Sequence, residues 1–268
     1  MRQERPFDCI VLAGSRGASD PVAAPSGASC KALVAIAGKP MLTHVLDALE
    51  ASGWVDRITV AIDPAIPLAE EAPALAQRLN TDRYATLAPS ESPCATLGEA
   101  FAERRASRPL LVVTGDHPLL TGEMLAAFCA GARASNRDVA AAVAPTHLMD
   151  RDFPGVRRTA LRFRDASYSG CNLFALMGSR AANVLSFWAT MEGERKRPLR
   201  MARRIGFGTL VAYAFGRLTL DDAVDRLARC VATELAAVRL NWSEAARDVD
   251  TPEDLALVER ILDDRRTP

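Results

Sequence analysis

The side chains of this chain that could do chemistry together fall in three short stretches. The first is a loop of small residues, Leu12-Ala13-Gly14-Ser15-Arg16-Gly17-Ala18-Ser19-Asp20, directly after an apolar run. Small residues let a backbone approach an anion closely, and successive loop N–H groups form a concavity for one. Arg16, with Lys31 further along, would add the fixed positive charge that a triphosphate needs. The loop is neither a Walker A sequence nor a G-x-G-x-x-G fingerprint, so a plain connecting loop is the competing reading. The second stretch, Thr114-Gly115-Asp116-His117-Pro118, closes the apolar run Leu110 to Val113. A carboxylate emerging from the carboxyl end of a strand is placed to hold a cation, or to cap the helix that follows. His117 reads as structural. The third, Asp248-Val249-Asp250, precedes the last helical pattern. Asp250 could serve a metal ion, cap that helix, or do both.

Lysine usage points to the same loop. Lys+Arg total 33, yet only Lys31, Lys39 and Lys196 are lysines. In a chain that otherwise uses arginine, a lysine marks a place where a compact ammonium on a flexible stem is useful. Chance is the other account.

Elements that would position these residues can be read from periodicity. Phe7 to Leu12 is a short, mostly apolar run, as in a buried strand. Pro40 to Ala51 carries a helical stripe with proline near its start. Strands are expected at 58–62, 84–87, 110–113 and 139–143, and helices at 68–79, 96–105 and 121–133. This alternation predicts a three-layer α/β/α sandwich around a mostly parallel sheet. Beyond Pro154, Arg158 to Arg164 alternates like a half-exposed strand, Gly170 to Leu176 reads as another, and 238–240 returns to the sheet. Asp250-Thr251-Pro252-Glu253-Asp254 carries the start signals of a closing helix over 251–262. The stretch 178–232 is helical and basic and reads as an insertion, which divides the chain into a main domain, 1–177 with 233–268, and a helical subdomain.

Composition excludes several classes. Acidic and basic residues balance at 33 each, which argues against a nucleic-acid binder working through a global positive field. No apolar run reaches the roughly 18 residues of a membrane-spanning helix. The opening residues lack the apolar core of a secretory signal. The six cysteines, Cys9, Cys30, Cys94, Cys129, Cys171 and Cys230, are scattered, which predicts reduced thiols in a cytoplasmic protein rather than a zinc site.

Taken in order, Leu-Ala-Gly with arginine, Lys-Ala-Leu, Gly-Lys-Pro-Met-Leu, Gly-Asp-x-Pro, Gly-x-Asn and Asp-x-Asp-Thr-Pro-Glu-Asp-Leu resemble the molybdenum-cofactor nucleotidyltransferase-like superfamily, the MobA-like NTP transferases. The resemblance covers most of 7–176 and 248–262 and is closest to a bacterial branch with a long helical insertion. It implies the nucleotide-diphospho-sugar transferase-like fold. It assigns Leu12, Ala13, Gly14 and Ser15 to the nucleotide, Arg16 and Lys31 to its phosphates, and Asp116 and Asp250 to Mg²⁺. Gly115, beside the first carboxylate, is counted with the nucleotide-binding residues, and Gly170 and Asn172 match an acceptor-facing strand. Ser90 to Thr96, including Ala95, takes the place of the base-reading segment. A clear glutamine is missing there, so the base stays open between CTP and GTP. The spacing from Arg16 to Lys31 is longer than in common members, and Asp248 is a third carboxylate without an assigned role.

The implied reaction moves NMP from an NTP to a phosphorylated small molecule and releases pyrophosphate, by positioning and charge stabilisation rather than by a general base. A molybdenum-cofactor cytidylyl- or guanylyltransferase is a narrower version. A nucleotide-sugar-dependent glycosyltransferase and a non-catalytic nucleotide-binding module are the rivals. The basic, apolar stretch 195–217 reads either as a solvated face or as a surface for an anionic acceptor or for lipid headgroups at the inner face of a membrane.

Overall fold

The computed structural model describes residues 6–14, 20–103, 108–156, 159–194 and 206–266. Ser15 and Arg16 therefore lie outside the described residues, as do the basic positions from Arg195 to Arg204. The chain opens with β1 (Phe7–Leu12), α1 (Ala23–Ser26), the short hairpin β2 (Ala35–Ile36) and β3 (Lys39–Pro40), and α2 (Met41–Ala51). It continues through β4 (Val55–Ala61), α3 (Leu68–Glu71), α4 (Pro73–Leu79), β5 (Tyr84–Leu87), α5 (Pro93–Glu103), β6 (Leu110–Thr114) and α6 (Gly122–Ser135). Then come β7 (Val139–Pro145), α7 (Thr146–Asp152), β8 (Leu161–Arg162), β9 (Ser167–Leu176) and α8 (Ala181–Glu194). The last elements are α9 (Phe207–Ala214), α10 (Leu220–Val231), β10 (Leu235–Arg239) and α11 (Pro252–Arg266). The strands form a mixed, mostly parallel eight-stranded sheet in the order β10-β7-β9-β6-β1-β4-β5, with β8 paired to β9.

By contact density the chain divides into two units, residues 1–96, 111–126 and 247–268 in the first, and 97–110 and 127–246 in the second. In the first unit β1 runs parallel to β4, and β4 parallel to β5, so that Leu12 faces Ala61 and Ala61 faces Leu87. Three strands thus end level with one another, which gathers their following loops on one edge. Phe7, Ile10 and Val11 are fully buried, as the mostly apolar run predicts. In α2 the buried stripe is Met41, Leu42, Val45, Leu46 and Leu49. The helix expected over 68–79 is instead two, because Pro73 disfavours helical geometry at Ala72, whose φ is −143° and ψ 66°. The β2–β3 turn was not legible as such: Ala37 and Gly38 both take positive φ, a type I′ turn without its usual Asn or Asp.

In the second unit β10 runs parallel to β7, while β7 and β8 both run antiparallel to β9. The strand expected over 158–164 shrinks to Leu161 and Arg162, since the Phe163 N–H turns back to the carbonyl of Ala166. The strand expected at 238–240 lies earlier, at 235–239, where it can pair along β7. Helices α8, α9 and α10 occupy the described part of the helical stretch. None of the six cysteines is in a disulfide.

Candidate active site

Lys31 lies at the centre of the first unit's charged cluster. It begins a 3₁₀ turn, Lys31–Leu33, whose Ala32 and Leu33 are buried. Its ammonium reaches Asp116 Oδ2 at 2.5 Å and Asp250 Oδ1 at 3.0 Å. The three charged groups come from positions 85 and 219 residues apart from the lysine, so the sheet and not the local sequence assembles them. Burial of Lys31 by itself lowers its pKa, but the charges and hydrogen bonds of Asp116 and Asp250 outweigh it and hold the ammonium above its ordinary value of 10.5.

Asp116 is carried just past the end of β6. The Gly115 N–H donates to the Leu12 carbonyl at 2.8 Å, and a Cβ at Gly115 would stand 3.2 Å from that of Ala13. Glycine is what lets the two strand ends come this close. The capping alternative for Asp116 fails, because Thr121 Oγ1 accepts from the Met124 N–H at 3.2 Å at the start of α6. One carboxylate oxygen, Asp116 Oδ1, is buried and has no hydrogen-bond partner. The Val249 N–H donates to the Asp116 carbonyl at 2.9 Å, which ties the segment before α11 to the end of β6.

Asp250 is also released from capping. Thr251 takes that role, its Oγ1 accepting from the Asp254 N–H at 3.2 Å while Asp254 Oδ2 accepts from the Thr251 N–H at 3.1 Å. Asp254 further receives the Asp250 N–H at 3.3 Å and stands 3.6 Å from Nη1 of the fully buried Arg247. Asp254 and Arg247 therefore fix the backbone from which Asp250 projects. Sequence reasoning read the acid as a helix-start signal only and missed the arginine, because nothing in a sequence marks which arginine will be enclosed.

The cluster opens onto a cleft of about 720 Å³. Its lining includes Leu12, Gly14, Lys31 and Asp116 together with Ala61, Asp63, Ser90 to Pro93 and Thr96. Gly14 would accept a Cβ without meeting anything within 4 Å, so its backbone is open to a ligand. Asp20, also on the wall, is buried and holds α1 in place by accepting from the N–H groups of Val22 and Ala23 at 2.9 and 3.1 Å. The Ser90 N–H donates to Thr96 Oγ1 at 2.9 Å, and that hydroxyl donates to the Ser92 carbonyl at 3.0 Å, so the 90–96 turn is internally braced.

The remaining sequence candidates are placed differently. Ala13 is buried, its N–H donating to the Ala61 carbonyl at 3.0 Å, and it does not line the cleft. Ala95 is an exposed residue of α5 whose N–H goes to Ser92 Oγ at 3.2 Å; Ser92 caps this helix and Pro93 opens it, three residues before the expected start. Gly170 and Asn172 belong to β9 in the second unit, where the register with β7 shifts and Asn172 takes a φ of 53°. Such bulges redirect a side chain. Among the described residues, no group of three His, Cys, Asp or Glu gathers as a metal site, so Asp248 does not join Asp116 and Asp250 in one. No helix among the described residues is long and apolar enough to cross a membrane.

The fold has solved counterparts. A hypothetical transferase from Thermus thermophilus is 29% identical, with a TM-score of 0.75 over 93% of this chain and 99% of that one. A CMP:2-keto-3-deoxy-manno-octonic acid synthetase complexed with CTP is 16% identical, with a TM-score of 0.56 over 97% of this chain and 98% of its own. A 4-diphosphocytidyl-2C-methyl-D-erythritol synthase from Anaerococcus prevotii is 12% identical, with a TM-score of 0.56 over 97% and 96%. The latter two share the fold. No curated protein matches the sequence. The family model of the MobA-like NTP transferase domain, however, matches residues 9–212, most of the chain, and the protein belongs to that family of nucleotidyltransferases.

Proposed function

We propose that the protein transfers NMP from an NTP, CTP or GTP, to a phosphorylated small molecule and releases pyrophosphate. The observation that carries this reading is the Lys31 ammonium held between Asp116 and Asp250 at the strand ends, on the wall of the cleft. An acceptor phosphate approaching a triphosphate brings two polyanions together, so catalysis is mostly positioning and charge neutralisation. Lys31 exchanges its carboxylate partners for phosphate oxygens when the triphosphate enters and then holds the departing pyrophosphate. The backbone at Gly14 lies against the phosphates, and Arg16, assigned from sequence, adds a second cation.

That exchange would leave two carboxylates facing each other without a counter-charge. Their oxygens suit Mg²⁺, a hard ion that keeps several waters, and the partnerless buried Asp116 Oδ1 is an oxygen free for it. Held by Asp116 and Asp250, the ion would supply Lewis-acid polarisation of the α-phosphate. No general base is required, because an acceptor phosphate is already ionised near neutral pH.

The cleft lining also offers hydrogen-bond acceptors at Asp63 and Glu91 among the hydroxyls of Ser90, Ser92 and Thr96. Carboxylate oxygens are acceptors, so they favour bases that present amino groups, as cytosine and guanine do and adenine also does, over uracil. Gly170 and Asn172 are assigned to the acceptor. The test is the reverse reaction: labelled pyrophosphate, offered with a panel of CDP- and GDP-linked compounds, should appear in CTP or GTP in a Mg²⁺-dependent manner. Absence of labelled NTP across the panel, with NTP binding intact, would favour a module without turnover. A glycosyltransferase would instead cleave the sugar from a nucleotide sugar and produce no labelled NTP.

A further inference from the structure

Helix α9 presents its apolar side to solvent. Phe207, Val211 and Phe215 follow one another at helical spacing and are 76%, 37% and 73% exposed. Isolated exposed apolar residues are ordinary, but a continuous stripe with two nearly bare phenylalanines marks an interaction surface. No residue of this helix is buried. Its other side is nonetheless anchored: the Tyr213 ring meets Phe163 edge-on at 5.5 Å, and its hydroxyl accepts from the Arg162 N–H at 3.1 Å. The outward stripe is thus a fixed orientation of a docked helix.

The helix end is fixed as firmly. The Gly216 N–H returns to the Tyr213 carbonyl and the Arg217 N–H to that of Ala212 at 2.8 Å, a Schellman closure with Gly216 at a φ of 63°. This places the exposed Arg217 next to the stripe, its guanidinium 5.8 Å from the centre of the Phe215 ring. Charge is one-sided here. No acidic residue occurs from 195 to 220 in a chain whose charges otherwise cancel. The carboxylates that follow on α10 are largely engaged: Asp221 pairs with Arg239 at 2.9 Å and Asp222 caps Thr219, which leaves Asp225 to offset part of the charge.

We infer that α9 docks the protein on an anionic lipid surface, with Phe207, Val211 and Phe215 entering the acyl boundary and Arg217 meeting headgroup phosphates. Exposed aromatic side chains beside guanidinium groups are the composition of an interfacial helix. A second copy of the chain fits this patch poorly, because two-fold pairing would set the same arginines against each other. The inference is independent of the transfer chemistry.

Co-sedimentation of the full chain with vesicles of equal parts phosphatidylcholine and phosphatidylglycerol tests it. The wild type should pellet at low salt, less so as salt rises, and much less with phosphatidylcholine alone. The double variant Phe207→Ser, Phe215→Ser should lose at least roughly tenfold in partitioning, as expected for removing two large apolar contacts, while its melting temperature and far-UV spectrum stay unchanged. Arg217→Gln, which leaves the aromatic stripe whole, should weaken binding only to the anionic vesicles. A wild type that stays in the supernatant at low salt overturns the inference. So does a double variant that pellets like the wild type, or a wild-type dimer that this variant converts to monomer without any vesicle binding.

Discussion

The Lys31 cluster and helix α9 are opposite solutions to placing an uncomfortable group. At the cluster, the side chains are ionic and partly buried, and the fold supplies partners for them: Lys31 is 13% exposed and touches two carboxylates, while Asp254 accepts from the backbone beside Asp250 and pairs with the enclosed Arg247. At α9 the uncomfortable groups are phenylalanines, and the fold holds only the reverse side of the helix, through Tyr213 and the turn at Gly216. A buried ion without partners would cost several kcal/mol, so such a site must be built complete. An exposed phenylalanine costs far less and can stand open until something covers it. Substitutions at the cluster should therefore disturb folding and chemistry together, and substitutions on the α9 stripe should leave the fold alone.

Replacement of Lys31 is the strongest way to break this contrast. Lys31→Met should lower kcat/KM for NTP by about 10²–10³-fold, the scale of losing one preorganised electrostatic contact to the reacting phosphates. Lys31→Arg should not restore it, since a planar guanidinium cannot follow a compact ammonium between two carboxylates. Steady-state pyrophosphate release measures both. If Lys31→Met transfers nucleotide at the wild-type rate, the lysine is a structural strut and the proposed role falls.

Asp254→Ala sharpens the comparison from one layer further out. It removes the acceptor of the Asp250 and Thr251 N–H groups, so stability should fall by about 1 kcal/mol or somewhat more, the typical worth of a helix cap. Mispositioning of Asp250 should cost roughly tenfold in kcat, in line with the loss seen when a supporting contact of a metal ligand is removed. Asp254→Asn retains an acceptor oxygen and should recover most of the stability. A variant that melts lower but turns over normally would confine Asp254 to capping.

The smallest expected effect is one of pH. Because the folded state holds the Lys31 proton more tightly than the unfolded chain, the stability difference between wild type and Lys31→Met should be full from neutrality upward to the ordinary lysine value of 10.5. It should then shrink as pH climbs through the raised folded value. Urea titrations of both proteins at stepped alkaline pH would show it, and parallel curves would indicate that the contact is too hydrated to count.

Much of the parallel sheet was readable because its strands are short, mostly apolar and bounded by Gly or Pro, as at Phe7–Leu12 and Leu110–Thr114. Lys31, Asp116 and Asp250 were legible as residue types and as pieces of a family pattern, although their convergence is a product of strand order and not of spacing. Other features left weaker traces. Ala72-Pro73 could have been read as a helix break, and Ser92-Pro93 as the true start of α5. The β2–β3 turn hides behind Ala37, an unusual residue for positive φ. Arg247 is indistinguishable in sequence from the many exposed arginines, and α7 carries too little apolar pattern, with only Met149 buried, to reveal a helix.

The Val249 hydrogen bond to Asp116 has a consequence for the order of events during synthesis. Lys31 and the end of β6 leave the ribosome long before the segment around Asp250, which lies 219 residues after the lysine. Until residues 247–266 emerge, the nascent protein can hold Lys31 against Asp116 alone. Any handling of nucleotide that needs both carboxylates therefore waits for that late segment.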